Sequence, residues 1–199
     1  MNEHADLAPS PWIARFAPLL PAGGCILDVA AGRGRHARFL ARRGLRVLAV
    51  DRDAEALSTL HGEAGVETRV ADLEGGEWPF GDRRFDGIVV TDYLHRPLGP
   101  VLAAALAPAG TLLYETFAAG NERFGRPSNP AFLLAPGELL RTFGELTVVA
   151  FEQGQVGTGE RRAVVQRLAA VGPAREWPPG LPAPDPAAGE RTGIERRIG

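Results

Sequence analysis

Lysine is absent from this sequence of 199 residues, in which all 22 basic side chains are arginine. The chain therefore cannot form a Schiff base with pyridoxal phosphate, and it lacks the lysine of phosphate-binding P-loops. Cysteine occurs once and histidine four times, too few and too scattered for an internal disulfide or a zinc cluster of these residues. We predict a protein without a metal site.

An excess of charge of one sign is also missing. The 22 basic and 24 acidic residues give a net charge of −2, which provides no positive field for a nucleic acid or an anionic membrane. No apolar run approaches the ~18–20 residues of a membrane helix, and residues 1–12 lack the layout of a secretory signal. These observations predict a cytoplasmic protein, monomeric or homodimeric, with no nucleic-acid or membrane partner.

The composition changes near residue 173. Residues 173–199 contain six prolines and four glycines, with four acidic residues balancing four arginines. Such a segment buries too little apolar surface to offset the entropy lost on ordering. We therefore predict a single domain over residues 1–172 and a Pro/Gly-rich flexible tail over 173–199.

Within residues 1–172, apolar runs of strand length alternate with helical patterns. Strands are predicted at residues 25–30, 45–51, 66–73, 85–94 and 111–117, and helices at 12–20, 36–44, 54–65, 98–110 and 136–143. Two further strands, 145–153 and 161–171, follow each other without a helix and predict an antiparallel hairpin. The predicted fold is α/β: a doubly wound, Rossmann-like, seven-stranded sheet, mostly parallel, with a C-terminal antiparallel hairpin.

Three aspartates accompany the first three predicted strands. Asp28 lies within the first strand, Asp51 ends the second and Asp72 ends the third. Gly32 and Gly34 follow the first strand, where glycine lets the backbone approach a ligand closely. An acid at the end of the second strand is placed to accept hydrogen bonds from both hydroxyls of a ribose. This pattern predicts a pocket for a nucleoside cofactor.

A nicotinamide-dependent dehydrogenase is an alternative, because residues 32–37 fit the dinucleotide pattern G-x-G-x-x-A. Against it, Asp28 would repel a pyrophosphate, and Asp72 is a third acid suited to an adenine amino group. The terminal hairpin extends the sheet in a way that the dinucleotide fold does not require. A Tyr-x-x-x-Lys pair cannot occur without lysine.

The string ILDVAAGRGRHARFLA, followed by VLAVD and ADLE, resembles motifs I to III of class I S-adenosylmethionine-dependent methyltransferases. The resemblance covers about residues 12–171. GRGRHARFLA and NERFGRPSNPAFLLAPGELL are also similar to small bacterial methyltransferases of the tellurite-resistance type. The resemblance implies S-adenosyl-L-methionine as the cofactor, with S-adenosyl-L-homocysteine as its product.

At the methionine end of that cofactor, the resemblance implies that Asp28, Ala30, Gly32 and Gly34 line the site, with Asp28 reaching the ammonium group. The family commonly has Asp-x-Gly-x-Gly or a cysteine before the first glycine. This chain has Ala30 and Ala31 at those places. Both residues are small, so we expect binding to be preserved.

At the adenosine end, the resemblance implies that Asp51 binds the ribose hydroxyls and that Arg52 flanks the adenine. Asp72 would accept from the adenine amino group, while the amide of Leu73 meets the ring. Thr91, after the fourth strand, would present its carbonyl to the ammonium group.

Candidates for the acceptor side follow the fourth predicted strand. We predict His95, Asp92 and Tyr93 as catalytic residues, since a hydroxyl acceptor needs a general base and His95 has suitable acidity. A thiolate or a reduced chalcogen needs little such help. Arg96 is a candidate substrate-binding residue.

Further substrate-binding candidates lie on the fifth strand and in the loop after it. Glu115 is on the strand, and Arg123 and Arg126 could clamp an anionic acceptor in a bidentate manner. A loop of about 18 residues in a compact domain is commonly a lid. Residues 129–132, Asn-Pro-Ala-Phe, differ by one residue from the Asn-Pro-Pro-Phe motif of amino-methylating nucleic-acid enzymes. That motif follows the fourth strand in those enzymes, so its place here speaks against their function.

The sequence therefore predicts methyl transfer to a small-molecule acceptor, which could be a thiol, a chalcogen, a hydroxyl or a carboxylate. A nucleic-acid or protein methyltransferase is the alternative among enzymes. A non-catalytic module that binds S-adenosylmethionine is the alternative outside them.

Overall fold

A computed structural model of the chain describes residues 8–159 and 162–182. Its seven-stranded sheet has the order β3-β2-β1-β4-β5-β7-β6. The strands are β1 (Cys25–Val29), β2 (Arg46–Asp51), β3 (Val66–Val70), β4 (Phe85–Thr91), β5 (Leu106–Phe117), β6 (Thr147–Val156) and β7 (Ala163–Val171). Strands β1 to β5 pair in parallel, and β7 is antiparallel to both of its neighbours, β5 and β6. The predicted doubly wound sheet with a C-terminal antiparallel hairpin is confirmed.

The helices are shorter than the sequence patterns predict. They are α1 (Pro11–Phe16), α2 (Arg35–Ala41), α3 (Ala54–Ser58), α4 (Leu98–Ala105) and α5 (Glu138–Thr142). The predicted helix over residues 12–20 ends as an α-helix at Phe16 and continues as a 3₁₀ turn over Ala17–Leu19. Pro18 lacks the amide that a longer α-helix would need at that place.

Successive residues of the central strands alternate between two apolar layers. In β1, Leu27 and Val29 belong to one layer and Ile26 to the other. Helices α4 and α5 cover the first layer, for example with Leu102 and Leu139, and α1, α2 and α3 cover the second. A sheet that is apolar on both faces needs helices on both sides, and the alternation along each strand therefore produces the doubly wound arrangement.

The fifth strand corrects the predicted boundary between helix and strand. The helix expected over residues 98–110 ends at Ala105, and β5 begins at Leu106, five residues before the predicted start at Thr111. Pro108 cannot continue a helix and disfavours helical backbone at the residue before it. The pairing of β5 with β4 shifts register at this place, between Phe85 and Gly87.

The first residues of the predicted tail contact the rest of the chain. The amide of Ala174 donates to the carbonyl of Pro108 at 2.9 Å, and a guanidinium nitrogen of Arg175 donates to the carbonyl of Leu19 at 3.1 Å. The prediction of a flexible tail falls largely on residues 183–199, which lie outside the described part of the chain. In the described part, none of the helices has the length and apolar character needed to cross a membrane.

Candidate active site

A cleft of about 400 Å³ opens at the carboxyl ends of the parallel strands. One half is formed by residues at and after the ends of β2 and β3: Asp51, Arg52, Ala71, Asp72, Leu73 and Glu74. The other half is formed by residues after β4, at the end of β5 and in the segment that follows β5: Asp92, Tyr93, Leu94, Thr116, Phe117, Pro127 and Phe132. Ala30, after β1, also lines the cleft, and β1 lies between β2 and β4 in the sheet.

Asp51 is fixed by two backbone amides. Its carboxylate accepts from the amide of Gly32 at 2.8 Å and from the amide of Asp53 at 2.9 Å. The first bond ties the turn after β1 to the end of β2. The half-buried carboxylate faces the cleft and retains lone pairs for a further donor, such as a ribose hydroxyl.

The end of β3 contributes a second acidic group. The carboxylate of Asp72 accepts from the amide of Glu74 at 2.9 Å, which closes a tight turn around Leu73. Asp72 is exposed and Leu73 is half-buried, and both line the cleft beside Arg52. This half of the cleft therefore offers carboxylate acceptors next to an apolar contact.

Asp28 is a buried carboxylate just behind the cleft, with 1% of its surface exposed. Burial raises its pKa to about 7, although the amide of Ala37 and the charge of Arg35 act in the opposite direction. Among the described residues, neither carboxylate oxygen has a hydrogen-bond partner of good geometry. An ammonium group would supply the missing charge and donors, so the site fits the methionine end of S-adenosylmethionine.

The turn after β1 depends on left-handed backbone. Gly32 has φ +53° and Gly34 has φ +76°. Ala30 has φ +52°, a conformation that an alanine adopts at a cost of ~1–2 kcal/mol. Such strain at the edge of a cleft is typical of functional sites, where the surrounding structure fixes an unfavourable conformation.

Asp92 and Tyr93 form the edge of the cleft after β4. Asp92 has φ +54°; its amide donates to the carbonyl of Glu115 at 3.0 Å, and its carboxylate pairs with Arg35 at 2.7 Å. Burial raises the pKa of Tyr93, and the charge and hydrogen bond of Glu74 raise it further. The Tyr93 hydroxyl therefore stays protonated and points toward the half of the cleft that contains Glu74.

A profile of the methyltransferase domain matches residues 26–114, which run from β1 into β5. Residues 26–114 therefore resemble a methyltransferase domain. This match and the fold agree with the resemblance of the sequence motifs to class I S-adenosylmethionine-dependent methyltransferases. No curated protein matches the chain.

Solved structures of methyltransferases share this fold. TehB from Haemophilus influenzae aligns with a TM-score of 0.66 and 16% identity, over 85% of this chain and 62% of TehB, so that this chain spans less than two thirds of TehB. A SAM-dependent methyltransferase from Methanosarcina mazei aligns with a TM-score of 0.64 and 17% identity, over 83% of this chain and 98% of that one. A methyltransferase from Mesorhizobium loti aligns with a TM-score of 0.63 and 18% identity, over 82% of this chain and 98% of that one. At these identities the similarity shows the fold and leaves the acceptor open.

Two residues predicted for the acceptor side, His95 and Arg96, lie next to the cleft without lining it. His95 contacts two smaller cavities beside α4, one of which extends toward α5. The guanidinium of Arg96 pairs with Glu138 at 2.7 Å and donates to the carbonyls of Ala131 at 2.7 Å and Leu133 at 2.8 Å. Arg96 therefore anchors the segment after β5, and its donors are already engaged.

Glu115 does not line the cleft, and its side chain points toward the N-terminal segment. One carboxylate oxygen accepts from the hydroxyl of Ser10 at 3.0 Å, and the other pairs with Arg167 at 2.6 Å. Burial raises the pKa of Glu115, and the charge of Arg167 offsets part of that rise. Glu115, which we predicted as a substrate-binding residue, therefore belongs to a buried network that holds the N-terminal segment.

The two arginines expected to clamp an anion are not among the residues that line the cleft. The guanidinium of Arg123 lies 5.7 Å from the ring centre of Phe124, and that of Arg162 lies 4.9 Å from the same ring. Arg126 is exposed and precedes Pro127, which does line the cleft. The structure therefore places neither arginine in the lining of the cleft, and their role as an anion clamp stays a prediction.

A buried histidine stands in α2, directly after the glycine turn. His36, 2% exposed, accepts from the amide of Ser10 at 3.0 Å through Nε2, and its Nδ1 lies 3.2 Å from the hydroxyl of Thr91. Burial, followed by the charge of Arg35, lowers its pKa to about 3. The neutral ring thus links the N-terminal segment to the end of β4, directly behind the cleft. No pattern in the sequence predicts this contact, because Ser10 and His36 are 26 residues apart.

Proposed function

We propose that this methyltransferase transfers the methyl group of S-adenosylmethionine to a small-molecule acceptor bound in the cleft. The observation that carries the proposal is the division of the cleft. Acidic residues after β2 and β3 form one half, and side chains from β4, β5 and the segment after β5 enclose the other. A volume of about 400 Å³ lies within the range of small-molecule sites, ~300–1,000 Å³.

In this proposal each end of the cofactor has its own ligands. Asp51 binds the ribose hydroxyls, Asp72 and Leu73 contact the adenine, and Arg52 flanks it. The cofactor supplies an electrophilic methyl group on a positively charged sulfur.

At the methionine end, Asp28 pairs with the ammonium group, and the carbonyl of Thr91 is a second acceptor for it. The turn formed by Ala30, Gly32 and Gly34 brings backbone to the methionine. These roles are supported by Ala30, which lines the cleft, and by the unpaired, buried carboxylate of Asp28.

The chain contributes to the reaction mainly by alignment. Methyl transfer from a sulfonium is an in-line displacement, so the walls of the cleft hold the acceptor on the side away from the sulfur and limit the access of water. Asp92 is the charged group at the acceptor half and is placed to orient the acceptor. Tyr93 acts as a wall, because burial and the charge of Glu74 raise the pKa of its hydroxyl and keep it protonated.

A direct test combines binding and turnover. Calorimetry with S-adenosylmethionine should show one site per chain, and S-adenosylhomocysteine should form when thiol, hydroxyl, carboxylate and amine acceptors are supplied. Binding of the cofactor without turnover on any of them would favour a non-catalytic module. Salt-sensitive binding of bulk tRNA in a gel-shift titration would favour a nucleic-acid methyltransferase, which the net charge of −2 does not support.

A further inference from the structure

We infer that the acceptor is an amine with an apolar, preferably aromatic, body, and that the site disfavours anionic acceptors such as carboxylates and oxyanions. This inference rests on the proposed function and specifies the chemical class of its substrate. It departs from the expectation of an anion held by Arg123 and Arg126.

The first observation is the charge of the cleft. Four carboxylates line it, those of Asp51, Asp72, Glu74 and Asp92, against the single guanidinium of Arg52. The ion pair of Asp92 with Arg35 neutralises one of these charges and leaves the cleft acidic. An anion would enter against this field, whereas an ammonium group would be attracted by it.

The second observation is the distribution of charge within the acceptor half. Among the described residues that line this half, Asp92 is the charged residue and none is basic. Arg35 binds one carboxylate oxygen of Asp92, and the other oxygen makes no hydrogen bond within the described part of the chain. The free oxygen can therefore accept from an N–H group of an acceptor.

The third observation is the aromatic character of the same half. Tyr93, Phe117 and Phe132 contribute aromatic residues to the walls, with Leu94 and Pro127 between them. Phe132 remains 51% exposed, because the 3₁₀ turn Pro130–Phe132, capped by the side chain of Asn129, presents it at the mouth of the cleft. Aromatic faces attract cations and bury the apolar body of a ligand, so these residues match an aromatic amine.

The reaction of such an acceptor balances without a further reactant. The bound ammonium group first loses a proton to water, and the nitrogen lone pair then forms a bond to the methyl carbon. The bond between that carbon and sulfur breaks, and its electron pair stays on sulfur as a neutral thioether. The methylated nitrogen carries the positive charge and loses a proton to water. Asp92 orients the nitrogen through its free oxygen.

Matched probes test the inference. The protein loaded with S-adenosylhomocysteine is titrated with 2-phenylethylamine and with 3-phenylpropanoate, which share an aromatic body and differ in charge. We expect the amine to bind at least about tenfold more tightly, as an ion pair near a protein surface allows. Equal binding, tighter binding of the carboxylate, or binding of neither probe would overturn the inference.

Two variants locate the effect. Asp92→Asn should reduce the preference for the amine by at least about fivefold, since it removes the carboxylate that faces the acceptor and leaves the charge of Arg35 without its partner. Asp82→Asn is the matched control, because the exposed Asp82 precedes β4 and lies at the opposite end of the sheet. An unchanged preference in Asp92→Asn, or an equal loss in both variants, would overturn the assignment of Asp92.

The same preparations separate this inference from the proposed function. S-Adenosylhomocysteine is titrated first, and failure of the wild-type protein to bind it would refute the proposed function. Binding of this product with methyl transfer to a thiol or a carboxylate, but not to 2-phenylethylamine, would refute the amine acceptor and leave the proposed function intact.

Discussion

The amide of Gly32 donates a hydrogen bond of 2.8 Å to the carboxylate of Asp51, and this bond joins the turn after β1 to the end of β2. The second oxygen of Asp51 accepts from the amide of Asp53 at 2.9 Å. Both bonds hold the carboxylate in one orientation before any ligand binds. Such preorganisation lowers the entropy that a ligand must lose when it binds.

Asp51→Asn should weaken the binding of S-adenosylmethionine at least tenfold, about 1.4 kcal/mol, in calorimetry. The substitution removes the charge and one of two acceptor oxygens that the backbone amides and the ribose would share. A small loss of thermal stability should accompany the loss of affinity.

Asp53→Asn is the matched control for this experiment. Asp53 caps α3 by accepting from the amides of Glu55 and Ala56 at 3.0 Å, and asparagine caps helices about as well as aspartate. Its affinity for the cofactor should stay within twofold of the wild type. Equal affinities of the Asp51→Asn variant and the wild type would remove Asp51 from the site.

Asp28→Asn should stabilise the protein at pH 8 and weaken cofactor binding. The carboxyl has a pKa of about 7 in the folded state and 3.8 as its reference value, so the folded protein retains a proton that the unfolded chain has lost between these pH values. Stability contributed by this group is therefore lost as the pH rises from about 4 to 7. Above pH 7 the buried charge destabilises the protein by on the order of 4 kcal/mol relative to the asparagine.

Urea unfolding of the two proteins at pH 5, 6, 7 and 8 measures the effect. The difference in the free energy of unfolding should shrink toward zero as the pH falls. A difference that is constant with pH would show that Asp28 has no raised pKa. Unchanged affinity for S-adenosylmethionine would show that the carboxylate does not meet the ammonium group.

The pH dependence contributed by His36 has the opposite sign. Its pKa is about 3 in the folded protein and 6.5 as a reference, so the unfolded chain binds a proton that the folded protein rejects between these values. Stability from the neutral ring is present above pH 6.5 and is lost as the pH falls. The loss should amount to about 2 kcal/mol between pH 7 and pH 5.

Because Asp28 and His36 act in opposite directions over the same pH range, their effects partly cancel in the wild-type protein. His36→Gln is therefore best examined in the Asp28→Asn background. The Asp28→Asn variant, which retains His36, should lose stability below pH 6.5. The double variant Asp28→Asn/His36→Gln should not. Parallel curves for the two proteins would contradict the buried, neutral state of His36.

The half of the cleft that contains Asp51 and Asp72 was predictable from the sequence, because it depends on short-range order. Each acid follows a strand, and the carboxyl ends of neighbouring parallel strands meet at one edge of the sheet. The places of Arg96 and Glu115 were not predictable, because each depends on contacts distant in the chain. Arg96 meets Glu138 across 42 residues, and Glu115 meets Ser10 across 105.

Phe132 shows that a sequence motif does not by itself determine where its residues lie in the fold. The Asn-Pro-Ala-Phe string was set aside because it follows the fifth strand. The structure nevertheless brings Phe132 to the mouth of the cleft, because the segment after β5 is bound by Arg96 through the carbonyls of Ala131 and Leu133. Local sequence defines the turn, and a tertiary contact defines where the turn lies.

Gly34→Ala should destabilise the protein by about 2–4 kcal/mol, and Gly44→Ala by about 1 kcal/mol. Both glycines have left-handed backbone, with φ +76° and +81°. A Cβ on Gly34 would lie 2.7 Å from Cγ of the buried Leu60, whereas a Cβ on Gly44 meets nothing within 4 Å. Gly44→Ala therefore reports the backbone strain alone, and the difference between the variants reports the clash.

Chemical denaturation of these two variants and of Gly34→Ala in a Leu60→Ala background measures the clash directly. If Leu60 causes the extra loss, the substitution at Gly34 should cost no more than Gly44→Ala once the leucine is shortened, and the effects of the two substitutions will not add. Additive effects would mean that Gly34 is needed for its backbone conformation alone. The turn after β1 would then be shaped by the conformation of its glycines and not by its packing against the segment after α3.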